Sequence, residues 1–153
     1  MAWAWTLLKD AALDAVLRPA MKGLEDELKR GEKYLPPQAK VRTTDATVTT
    51  LYTAAIPVNE SVIVTGHVVA RRTGGSAGAA NDGAGYVVEF CAKNTAGTAG
   101  LIGAGSVTVL GESQAGWNCT LTASGGSILV RVTGAVDNNV TWSWSGKRLS
   151  VKE

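Results

Sequence analysis

Between Ala46 and Val151 the chain returns again and again to one rhythm: apolar or β-branched residues at every second position, interrupted by short clusters of Gly, Asn, Asp and Pro. The runs are ATVTTLYTAAI (46–56), SVIVTGHVVARR (61–72), YVVEFCAK (86–93), LIGAGSVTVL (101–110), NCTLTAS (118–124), SILVRVTGA (127–135) and VTWSWSGKRLSV (140–151). A two-residue period sends successive side chains to opposite faces of a strand, and it predicts seven strands. Turn chemistry separates them at Pro57-Val58-Asn59, Thr95 to Gly100, Gly125-Gly126 and Asp137-Asn138-Asn139. Short strands at regular spacing, with no helical pattern between them, predict a mainly β fold: an antiparallel β-sandwich, jelly-roll-like, of about seven strands. Val64, Val88, Phe90, Leu121, Val130 and Val132 are its expected core.

Upstream the composition is different. Residues 1–40 hold 13 of the 28 charged side chains but two of the 18 glycines, which sets a boundary near Leu35-Pro36-Pro37 and predicts two parts, 1–40 and 41–153. Leu7, Leu8, Ala11, Ala12, Val16 and Leu17 recur at helical spacing and form one apolar stripe, so an amphipathic helical segment is expected before the β part. Pro19 kinks or restarts it, after which Met21, Leu24, Leu28 and Leu35 fall on alternating a and d positions. Helices this short are marginal alone, so the stripe must cover itself with another surface. The segment is read as an anchor and oligomerisation element, Leu7, Leu8, Ala11, Val16 and Leu17 docking on another protein and Leu24 and Leu28 meeting sister chains.

Charge and leader features narrow the function classes. Formal net charge is +2 with the cations dispersed, so no nucleic-acid partner is expected. The first twenty residues carry no cationic leader and meet charges at Lys9, Asp10 and Asp14, which predicts neither a secretory signal nor membrane insertion.

The glycine-rich stretch VARRTGGSAGAANDGAGY (69–86) invites a phosphate-loop reading, but such a loop opens a helix, and its triphosphate-binding form adds Lys before Ser or Thr. Here a strand pattern follows instead. The stretch is read as a mobile connection between two long strands, with Asn81-Asp82-Gly83 as its turn. Calcium would want several oxygens, and Asp82 brings the single carboxylate. His67, the one histidine, stands mid-strand and is expected half-buried on a neighbour. The acids Asp45, Glu60, Asp82, Glu89, Glu112 and Asp137 are dispersed, so no carboxylate pair is named. Cys91 and Cys119 lack metal-ligand spacing and are expected to pack as thiols. No catalytic residue, metal or cofactor is predicted. Trp142 and Trp144, two apart on a strand, share a face that is either core, subunit contact or a platform for a sugar ring.

Five ordered phrases carry a resemblance: TTDATVTTL (43–51), VVARRTGGSAG (68–78), DGAGYVV (82–88), QAGWNCTL (114–121) and ILVRVTGAVDNNVTWS (128–143). Together they resemble a β-domain that recurs in tailed-bacteriophage virion proteins, often as the last domain of tail fibres. The resemblance implies a non-enzymatic homotrimer displayed on a virus particle, assembled in the bacterial cytoplasm. With about 40 residues ahead of the domain, it implies a short fibre or spike or a tail-tip component, docked on another virion structural protein through its helix; a capsid decoration protein is the alternative. A third reading makes the trimer a receptor-binding module that meets host saccharide or protein through Trp142, Trp144, Asn81 and Asp82.

Overall fold

The computed structural model describes residues 38–152, and Lys22 before them. The expected N-terminal helix, with Leu7, Leu8, Ala11, Val16, Leu17, Leu24 and Leu28, lies outside the described residues. The chain divides into two compact units at Leu35/Pro36, and the described residues of the second are all in strands and their connections. Among the described residues no helix is long and apolar enough to cross a membrane.

Among the described residues nine strands form: β1 (Gln38–Thr43), β2 (Thr49–Ala55), β3 (Glu60–Gly75), β4 (Gly83–Thr95), β5 (Thr98–Leu101), β6 (Ser106–Glu112), β7 (Asn118–Ser124), β8 (Ser127–Thr133) and β9 (Asn138–Lys152). Six of the seven alternating runs each hold one strand, and two strands exceed the expected count. β1 crosses the 40/41 point. The run 101–110 is not continuous, because Gly103 and Gly105 take positive φ angles of 78° and 67° that no extended strand accommodates. The chain turns there, leaving β5 and β6 to occupy successive lengths of one edge of β4.

The strands make two antiparallel sheets. The larger has the order β1-β9-β3-β4-β5, with β6 also on β4; the smaller is β2-β8-β7. Alternation decides what each face meets. Val62, Val64, Val68 and Ala70 of β3, Tyr86, Val88, Phe90 and Ala92 of β4, and Val140, Trp142 and Trp144 of β9 turn inward. They share one apolar cluster with Leu51, Ala54, Cys119, Ile128, Val130 and Val132 of the smaller sheet. Full burial of each such aliphatic or aromatic side chain stabilises by about 1.5–3 kcal/mol. Of the predicted core, Leu121 alone is half-buried.

The tryptophans join the sheets. Trp144 stacks on Tyr52 of β2 with ring centroids 4.9 Å apart and planes 14° from parallel. Its indole lies over Gly66 and Gly146, which are direct partners on β3 and β9. Any side chain at either glycine would enter the ring's space, so the pair forms a flat floor. Trp142 meets Trp117 edge to face at 5.8 Å, and its Nε1 donates to Thr43 Oγ1 at 2.9 Å, tying β1 into the core.

Candidate functional site

Two regions of the surface are candidates: the rim where the β3–β4 connection meets the turn before β9, and the length of β9 that β1 leaves unpaired among the described residues.

The rim gathers the glycine-rich stretch and the VTGAVDNN segment. Arg72 donates from Nε to Ala77 O at 2.8 Å and from Nη2 to Gly75 O at 2.5 Å, folding the connection over its own guanidinium. Arg71 donates to Asn81 Oδ1 at 2.6 Å. Asp82 is buried, and its Oδ2 accepts from Ala79 N and from Gln114 Nε2, both at 2.7 Å. Ala77 N donates to Asp137 O at 2.9 Å, across sixty residues of sequence. Gly78, at φ 76°, leaves no room for a side chain: a Cβ would stand 2.6 Å from Asn138 Nδ2 and 2.9 Å from Asp82 Oδ2. The connection expected to be mobile is hydrogen-bonded instead, by Arg72 and Asp82 at its own two ends and by Asp137 and Gln114 from distant sequence. Asp82 serves as an internal acceptor, while Asn81 stays exposed beside Arg71.

Trp142 and Trp144 are 0 % and 1 % exposed. The platform reading of these rings is corrected: both are core, because the even positions of β9 face the smaller sheet. His67, expected half-buried, is exposed on the outer face of the larger sheet. Cys119 is buried, which pushes its thiol up to about 12, and Cys91 is half-buried on the outer face; both thiols are free. Tyr86 donates to Glu112 Oε2 at 2.8 Å, and burial first, then that carboxylate, holds its hydroxyl far above the usual range. Among the described residues no three His, Cys, Asp or Glu side chains gather where they could hold a metal ion.

The second region was missed in the sequence. β9 pairs with β3 over its whole length, but with β1 only from Val140 to Ser145. Among the described residues nothing pairs with its other edge from Gly146 to Lys152. Beside that edge Leu149 and Val151 are 71 % and 70 % exposed, and Ile63 on β3 is 52 % exposed. With Ser61 and Cys91 they wall a shallow recess of about 400 Å³. A signal was available: Leu149 and Val151 are odd-numbered and Trp142 and Trp144 even, so one strand cannot send both pairs inward. On the inner face Arg148 ion-pairs with Glu60 and donates to Ala55 O at 2.8 Å. Glu60 is held below the usual carboxylate range, first by a hydrogen bond from Ser150 and then by Arg148 and Lys152.

No protein-family model matches the chain, and no curated protein matches it. Solved structures do. The Acinetobacter baumannii phage AM24 tailspike protein aligns over 76 % of this chain and 26 % of its own, at 12 % identity and a TM-score of 0.43. The Acinetobacter phage vB_ApiP_P1 tailspike protein aligns over 76 % and 22 %, at 10 % identity and 0.38. The tailspike protein gp49 from Acinetobacter baumannii bacteriophage Fri1, a capsular polysaccharide depolymerase, aligns over 74 % and 19 %, at 10 % identity and 0.36. The chain thus spans about a quarter or less of each of these proteins.

Proposed function

We propose that this chain is a non-enzymatic structural component of a tailed-bacteriophage particle: a trimeric short fibre, spike or tail-tip protein, its jelly-roll-like β-sandwich exposed and its first 40 residues serving as anchor. One observation carries the reading. The phrases that resemble the virion β-domain come from separate stretches of chain, yet VVARRTGGSAG, DGAGYVV and the GAVDNN part of the last phrase meet in one hydrogen-bonded rim. That rim uses its polar groups on one another: Arg72 on carbonyls, Asp82 on an amide N–H and a glutamine. Groups so engaged hold a shape, which supports a structural part for the rim.

Particles of the phage that encodes the chain provide the test. Immunogold labelling with an antibody against residues 36–153 should mark intact purified particles, and sedimentation equilibrium of the protein should give three chains per assembly. Gold absent from particles, or a monomer at micromolar concentration, overturns the reading. Release of reducing ends from host surface polysaccharide by the purified protein would overturn its non-enzymatic part. Gold on heads rather than tails would select capsid decoration, and binding to whole host cells would add receptor recognition.

A further inference from the structure

The free edge of β9 fits a particular kind of partner. From Gly146 to Lys152 one row of backbone N–H and C=O groups has no ladder partner among the described residues, which is the template on which another strand adds. The neighbouring side chains favour such addition. Leu149, Ile63 and Cys91 lie in one row across β9, β3 and β4, and Val151, Ser61 and Lys93 in the next. An incoming strand would extend these rows, and its own apolar residues would cover Leu149 and Val151, whose present exposure is costly.

Charge selects the occupant. The charged residues of β9 are Lys147, Arg148 and Lys152, and Lys93 adds a fourth cation on the outer face. Glu60 already neutralises Arg148 from the inner face, and Glu89 sits two strands from the edge, across Thr65 from Lys147. Two copies meeting edge to edge would bring Lys147 and Lys152 of one against the same cations of the other, which opposes self-pairing. We infer that β9 from Gly146 to Lys152 is a strand-addition site for an extended segment of a different protein, apolar at alternate positions and acidic at its ends. The surface has this chemistry whether or not the chain is a virion component.

The probe is a fluorescein-labelled ten-residue peptide of alternating Val and Thr with two Asp at each end, titrated with the full chain and followed by fluorescence anisotropy. Saturable binding is expected, weakened at least tenfold when the Asp residues are exchanged for Lys. A peptide N-methylated at alternate residues along its pairing edge should lose binding, since it keeps the charges and side chains but cannot complete the ladder. The Leu149→Glu/Val151→Glu variant, altered only at exposed positions, should melt like the parent yet bind at least tenfold more weakly. No saturable binding, or binding indifferent to N-methylation or to that variant, overturns the proposal. So does a dimer in sedimentation that the same variant dissolves, because the edge would then belong to a second copy.

Discussion

Adding one methyl group at Gly66 tests the packing that joins the sheets. A Cβ there would stand 2.5 Å from Cζ2 and 2.7 Å from Cζ3 of Trp144, inside the distance that carbon atoms tolerate. The indole has little freedom to retreat, because Tyr52 of the smaller sheet stacks on it at 4.9 Å. Over-packing of a well-filled core costs about 1–3 kcal/mol, and an overlap of this depth belongs at the upper end. Exchanging Gly for Ala inside a strand returns about 0.5–1 kcal/mol. The net expectation for Gly66→Ala is a loss of about 2 kcal/mol. For a unit of this size that corresponds to a fall in Tm of roughly 6–12 °C. Urea unfolding followed by tryptophan fluorescence and far-UV circular dichroism reads the loss directly. In a Trp144→Leu background the ring is gone, so the same methyl should be neutral or mildly stabilising, giving a coupling of about 2 kcal/mol. Equal costs in the two backgrounds would refute the reasoning, as would a cost below about 0.5 kcal/mol in the parent, the size of an ordinary surface substitution.

Two further outcomes are expected. Gly78→Ala at the clamped rim should cost about 1–3 kcal/mol, from positive φ and lack of room, while Ser76→Ala two residues earlier should stay within about 0.5 kcal/mol; thermal melts of both variants compare them. Burial raises the Cys119 thiol from its ordinary value of 9.0 to about 12, so its neutral form contributes stability that is complete below pH 9 and is lost as pH rises through that interval. Cys119→Ala should therefore show a shallower alkaline decline than the parent in melts recorded from pH 8 to pH 11, and identical slopes would show that the thiol ionises equally well in both states.

Strand content was legible because period two is a local signal, and it failed where locality fails. β1 reads QAKVRT, with Lys40 and Arg42 on its outer face and only two apolar residues, Ala39 and Val41, beside Thr43 on its inner face, so its apolar rhythm is too thin to register. β5 is four residues, TAGL, shorter than any periodicity can declare. Alternation placed Trp142 and Trp144 together but could not say which side they face; that follows from the smaller sheet, whose Tyr52 and Val130 arrive from distant sequence. The rim was misread for the same reason. GSAGAAN has the composition of a flexible linker, and it is held by Arg71, Arg72 and Asp82, which flank it, and by Asp137, sixty residues away from Ala77.

The pairing of β3 with β9 also sets an order of events during synthesis. β3 can zip onto β4 as soon as both have left the ribosome, but its other edge is completed by residues more than sixty positions later, from Asn138 onward. Throughout that interval a sixteen-residue strand stands open on one side, with Val68 and Ala70 not yet flanked by Trp144 and Trp142 of β9. Ribosomes following one another along a single message hold several such half-finished strands close together, each a template for its neighbour. The yield of correctly folded protein therefore rests on how quickly translation delivers the last fifteen residues of the sheet, and slow codons before Asn138 would lengthen the hazard without changing a single amino acid.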